Sequence, residues 1–272
     1  MEPIALRLDD VGACSKRYEV YADHQWGVIS ANWLFLKYLP AFRRWGPYRE
    51  LTATEWRLIF QLLERHRAKL TVAVTAAWPV NERRLIPFPL RFPEEASVLK
   101  VGVKEELIEI ANHGLTHCVV RNNAFKPRWF DGNRTYHREF WNWVPAHEQE
   151  DHLRQSQEIL EEYFEVPVVT FVPPGNVFAE ETLEMAARHG LRYVSCRATP
   201  RFEGVPAVIG NEGVEPFHDR DLVLHGLSWL ARQLETHQGR RFCFVKELGA
   251  ERVLAFAVAP KEEPVAAALE PV

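Results

Sequence analysis

Short apolar runs of strand length alternate along this chain with longer segments whose apolar residues recur at helical spacing. Ile4–Leu8 reads as a strand, Leu51–Lys69 as an amphipathic helix capped by Thr52 or Thr54, and Leu70–Ala76 as a buried strand. Lys104–Ala111 is a short helix or strand approach. Glu148–Phe164 carries Leu153, Ile159, Leu160, Tyr163 and Phe164 at helical intervals. Val166–Val172 reads as a strand, Glu180–His189 as a helix, and Arg192–Cys196 and Asp221–His225 as two more strands. Such alternation predicts a parallel sheet with crossover helices, and six or seven strands suit an open or incomplete α/β barrel. Residues 1–259 are expected to form one domain. Residues 260–272, rich in Pro, Glu and Ala, carry no core pattern and are expected to be a mobile tail.

Two connections are much longer than an ordinary strand-to-helix loop. One runs from Val11 to Glu50 and holds Tyr21, Trp26, Trp33 and Trp45. The other runs from Cys118 to Ala146 and holds Phe125, Trp129, Phe130, Tyr136, Phe140, Trp141 and Trp143. In α/β barrels the loops after the strands build the site. Aromatic rings flanked by Arg and Asn suit a sugar face, and they equally suit the small core of a lid.

The 272 residues carry a formal net charge of −4, which argues against nucleic acid as the main partner. No apolar run is long enough to span a bilayer. Without a basic n-region and apolar h-region the N-terminus reads as cytoplasmic rather than exported. The cysteines Cys14, Cys118, Cys196 and Cys243 form no CxxC pair and are expected to be reduced, buried thiols. The oligomeric state is not legible.

Chemistry-bearing residues gather where apolar runs end. Asp9-Asp10 closes the first run, and Asn112-His113-Gly114-Leu115-Thr116-His117 follows another. Asp10, His113 and His117 supply three ligands and leave an open position, the arrangement of a catalytic zinc site. Gly114 argues for a tight turn rather than a helix between the histidines. Asp9 is then a spare carboxylate able to accept a proton from water acidified by an ion. Thr170-Phe171-Val172-Pro173-Pro174-Gly175-Asn176 forms a rigid turn whose amides could face an oxyanion, or a plain Pro-Pro-Gly turn. Leu222-Val223-Leu224-His225 places His225 at the end of an apolar run as a candidate general acid. Glu139 and His218, like Trp129, are candidates for touching substrate.

In this order the motifs resemble those of the polysaccharide deacetylase (NodB-homology) family of metal-dependent sugar amidases. Leu6-Arg7-Leu8-Asp9-Asp10 resembles its (T/S)FDD segment, and His113–His117 its H(S/T)xxH segment. Val172–Asn176 resembles RxPYG, and Leu222/Leu224/His225 resembles LxH. The resemblance spans residues 4 to about 228. It implies an irregular (β/α)7 barrel with Asp9 as base, Asp10, His113 and His117 as metal ligands, and His225 as acid. The Gly175 amide would take the oxyanion-hole place. Zinc is the metal expected from the ligand types, with cobalt or another divalent ion as alternatives.

Two departures stand out. Val172 occupies the place of the family's arginine, which makes Arg7 and Arg197, each at a strand end, the candidates to orient Asp9. Gly114 replaces the Ser/Thr after the first histidine. The expected activity is removal of an N-acetyl group from a carbohydrate, an intracellular precursor of a surface polysaccharide such as O-antigen. A deformylase, an amidase on another C–N bond and a non-catalytic glycan-binding barrel are the alternatives.

Overall fold

The computed structural model describes residues 1–18, 49–81, 84–118 and 138–258, together with four short strands between residues 21 and 45. Trp129 and the 260–272 tail lie outside the described residues.

In chain order, β1 (Pro3–Val11) is followed by the short antiparallel pairs β2 (Tyr21–Ala22) with β5 (Arg43–Trp45) and β3 (Gln25–Trp26) with β4 (Ile29–Ser30). Helix α1 (Ala53–His66) leads into β6 (Leu70–Val74), and a hairpin of β7 (Ala77–Asn81) and β8 (Arg84–Pro87) precedes α2 (Phe88–Arg91) and α3 (Pro93–Lys104). Next come β9 (Ile108–Asn112), α4 (Ala146–Phe164), β10 (Thr170–Phe171), α5 (Glu180–Arg188), β11 (Tyr193–Val194), β12 (Ala207–Val208) and β13 (Val214–His218). The chain ends in α6 (Asp219–His225), α7 (Leu227–Thr236), β14 (Arg241–Phe242) and α8 (Val245–Val258).

The main sheet runs β12-β11-β10-β9-β6-β1-β13, with β14 also on β1, and every pairing in it is parallel. Five strands, β6, β9, β10, β11 and β12, add one after another to one side of β1, and β13 returns to its other side. The result is a curled half-barrel of the expected (β/α)7 type.

Helix α1 shows why these elements form where they do. Thr52 and Glu55 make a reciprocal capping box, Arg67 ends the helix in a left-handed conformation, and Trp56, Ile59, Phe60 and Leu63 bury one face. Buried residues of β1, β6 and β9 meet such faces in the main core, which includes Leu6, Leu8, Val72, Ile110, Leu153, Leu160 and Phe164.

One expected strand is a helix. Asp221–His225 lies in α6, and the preceding strand is Val214–His218. The apolar triplet Leu222-Val223-Leu224 is too short for periodicity to separate strand from helix. Of the aromatic residues that follow the histidines, Phe140 is fully buried and stacks edge-on against Phe171 at 5.1 Å. It belongs to the core.

Candidate metal and catalytic site

The strands are parallel, so their C-terminal ends share one face of the half-barrel, and the polar groups collect there. On β1, Arg7 and Asp9 are two residues apart and face the same side of the sheet. Asp10 would ordinarily point the other way. The β1–β6 register shifts between Leu8 and Val11, and Asp10 has a φ of 73°. An irregularity of this kind re-aims a side chain, and here it turns Asp10 toward the histidines beside Asp9.

Asp10 Oδ1 lies 3.2 Å from His113 Nε2 and 3.1 Å from His117 Nε2. The three ligand atoms lie within 4.8 Å of one another, and all three residues are buried. His113 directs its Nδ1 to the Val172 carbonyl at 2.6 Å, which fixes the ring and presents Nε2. His117 Nδ1 is 3.2 Å from Ser15 Oγ. Burial opposes charge on Asp10, but His218, His117 and His113 hold its carboxyl well below the usual range. One anionic carboxylate and two oriented imidazoles fit a divalent ion of the zinc type.

Arg7 is 1% exposed and grips Asp9 with both arms of its guanidinium, Nε to Oδ1 and Nη2 to Oδ2, each at 2.8 Å. Its remaining nitrogen, Nη1, donates to Ser195 Oγ at 2.8 Å just beyond β11. Arg7 thus contacts Asp9 where Val172 has no group to do so. Val172 is buried against Ala73 and Ala111. Arg197 instead donates its backbone N–H to Asn176 Oδ1.

The histidine turn is built on Glu139. Its carboxylate is fully buried and accepts the backbone N–H groups of Leu115, Thr116 and His117 at 3.0–3.4 Å, and His152 Nδ1 at 2.6 Å. Burial disfavours charge on His152, yet the Glu139 carboxylate raises its pKa above the ordinary histidine value. Gly114 explains the missing Ser/Thr. Its φ is +77°, and a Cβ there would lie 2.3 Å from Glu139 Oε2. Glu139 therefore does not face substrate; its oxygens are occupied inside the turn. Asn112 braces the same turn, accepting from Gly114 N at 2.9 Å and donating to Ser156 and Gln157 of α4.

His225 is exposed at the end of α6, and not at a strand end. The histidine at a strand end is His218, in register with Asp9 across β1 and β13. Its Nε2 lies 3.9 Å from Asp10 Oδ2 and its Nδ1 3.7 Å from Asp221 Oδ2. Burial lowers its pKa, but the Asp10 charge, Asp221 and Asp9 outweigh burial and the opposing Arg220, lifting it to about 9. A β-strand reading of Val214–Phe217 would have exposed this position in the sequence. Pro216 obscures it, because proline usually argues against a strand interior. Beneath His218, Asp219 and Glu50 bind the buried ammonium of Lys16. Gly175 lies exposed in the Pro174–Asn176 turn with a φ of 68°, beyond β10 at the same end of the sheet.

A parallel half-barrel that gathers a carboxylate–bis-imidazole cluster, a second clamped carboxylate and a histidine at its strand ends defines a class of α/β barrel with a candidate metal site. The polysaccharide deacetylase family model matches residues 46–194, more than half of the chain, and the chain belongs to that family. No curated protein matches it. Among solved structures it is similar to a CE4 family pseudoenzyme from Bacillus anthracis, at 17% identity over 73% of this chain and 62% of that one, with a TM-score of 0.46. It is also similar to the Xyl-CE4 domain of a multidomain xylanase from the hindgut metagenome of Trinervitermes trinervoides (13% identity, 92% and 91% of the chains, TM-score 0.48). A third is a family 4 acetyl xylan esterase from Clostridium thermocellum (12% identity, 92% of each chain, TM-score 0.48). The aligned part of this chain spans about six-tenths of the length of the Bacillus anthracis protein.

Proposed function

We propose that this protein is a metal-dependent hydrolase that removes an N-acyl group, acetyl in the first instance, from a sugar. The observation that carries the reading is the juxtaposition of three functions at one sheet end. These are the Asp10–His113–His117 cluster, the Arg7-clamped Asp9, and His218 in register beside them. Family membership supplies the substrate class.

Asp10, His113 and His117 would hold a divalent ion, which when bound would supply Lewis-acid chemistry toward an acyl carbonyl and a water. Arg7 fixes both oxygens of Asp9, and each oxygen keeps a lone pair free to take the proton of the attacking water. His218, whose Nε2 lies 3.9 Å from Asp10 Oδ2, is offered as the group that protonates the departing amine. We assign it the acid role in place of His225. The Gly175 amide is offered as a donor to the developing oxyanion. The substrate we favour is a precursor of a surface polysaccharide such as O-antigen.

The test measures acetate release from N-acetylated sugars, free and nucleotide-linked, with zinc or cobalt added, for the wild type and for His218→Asn and Asp9→Asn. Release by the wild type, with at least a hundredfold loss in each variant, supports the reading. Binding of saccharide without release would overturn it in favour of a glycan-binding barrel. Release only from N-formyl analogues would assign the same groups to a deformylase.

A further inference from the structure

We propose that Cys14 and Cys118 form a reversible disulfide that ties the segment following β1, just beyond Asp10, to the turn carrying His117. Cys14 lies four positions beyond Asp10, and Cys118 directly follows His117. Their sulfurs are 3.1 Å apart, and both residues are buried, in a pocket walled by Trp78 with Phe92 packed against it. Both thiols are also directed at one acceptor, the Thr116 carbonyl, at 3.2 and 3.3 Å. Cys196 and Cys243 sit in two separate core clusters.

Three physical points favour a cross-link. The sulfurs, 3.1 Å apart, must approach by only about 1 Å to reach bonding distance. The bond removes two weak S–H donors from the Thr116 carbonyl, a small loss. The two residues are 104 positions apart, so the bond restricts a large part of the unfolded chain. A second metal site is the competing use of two thiols. Among the described residues, however, the Asp10–His113–His117 group is the one that brings three ligands together, and the thiols are outside it.

The oxidant is a small disulfide of the glutathione class. One cysteine thiolate attacks it and releases one thiol, and the second cysteine displaces the other. One S–S bond forms in the protein, and the two electrons and two protons leave as two molecules of glutathione. The bond stands independently of the deacylation reading. Its consequence for the site rests on a metal occupying the Asp10–His113–His117 cluster, because Ser15, next to Cys14, contacts His117 Nδ1.

The full chain is equilibrated in glutathione redox buffers from two directions, as folded reduced protein and by refolding from denaturant. It is then alkylated under denaturing conditions and mapped by peptide mass. The expected result from both directions is a fall from four alkylated cysteines to two, with a Cys14–Cys118 linked peptide that dithiothreitol removes. Cys14→Ser and Cys118→Ser should each abolish that peptide. Four alkylated cysteines from both directions, or a link between other cysteines, would overturn the proposal. Zinc release to a chelator is measured separately. Release several-fold slower in the oxidised protein is expected, and equal rates would overturn the clamping role while leaving the bond itself established.

Discussion

Arg7 and Asp9 stand two residues apart on one strand, and the guanidinium holds both oxygens of the carboxylate at 2.8 Å. The clamp is local in sequence and does not need an arginine from the strand that ends at Val172. Removing one partner of a buried pair leaves the other charge uncompensated, at a cost of about 3–5 kcal/mol. Arg7→Met should therefore lower the unfolding free energy by roughly that amount and abolish turnover. Arg7→Lys keeps the charge without the planar fork. It should fold, with kcat reduced about tenfold or more and KM little changed. Chemical denaturation and steady-state kinetics measure both effects.

Glu139 satisfies three backbone N–H groups of the histidine turn and pairs with His152. Glu139→Ala orphans those donors, at about 1–3 kcal/mol for each group left unsatisfied. Support of this kind behind metal ligands is typically worth about 10–100-fold in affinity. Zinc competition against a chelator should show that weakening in Glu139→Gln, a milder change, while circular dichroism remains that of the wild type. Unchanged zinc affinity would refute the supporting role.

The cluster itself predicts the effect of metal removal. A ligand that binds only the folded state at about 100 times its dissociation constant adds roughly 2.7 kcal/mol of stability. Zinc should raise the melting temperature of wild type, and chelation should reverse the rise. His117→Ala should abolish the shift and carry no ion by elemental analysis.

If His218 is the acid proposed above, it should set the alkaline limb of the pH profile. A general acid works protonated, so a pKa raised to about 9 keeps it competent through neutral pH and loses activity as pH rises through that value. An ion sharing the Asp10 charge weakens the upward pull, placing the limb of the loaded enzyme between the ordinary 6.5 and about 9. His218→Asn should remove this limb from the kcat profile, whereas His225→Asn should leave the profile as it is.

The α1 cap predicts a stability effect at acid pH. The Arg49 hydrogen bond, aided by Thr52, outweighs burial and lowers Glu55 to about 2. A depressed carboxyl stabilises above its ordinary 4.5, and that contribution is lost as pH falls toward 2. Because the pair is largely exposed, its worth is on the order of 0.5–1 kcal/mol. Thermal unfolding of Glu55→Gln should show a deficit at pH 7 that closes by about pH 2–3.

Local patterns were enough to locate the strands that open the site, the first helix with its Thr52 cap, and both metal-type motifs. Each depends on neighbours in sequence: spacing fixes which face a residue takes, and a strand end fixes where its polar residues emerge. The Arg7–Asp9 clamp was also within reach, because residues two apart on a strand share a face. The acid was not. His225 follows an apolar triplet that suits strand or helix, and only the pairing of Val214–His218 with β1 brings His218 to Asp9. Glu139 was equally hidden, since a loop carboxylate reads as solvated until the fold buries it under a turn with three N–H donors to answer. Sequence by itself determined the alternation, the candidate ligand set and the family resemblance. Tertiary structure decided which histidine, which carboxylate and which thiols meet, because those contacts join residues up to about two hundred positions apart through the parallel sheet.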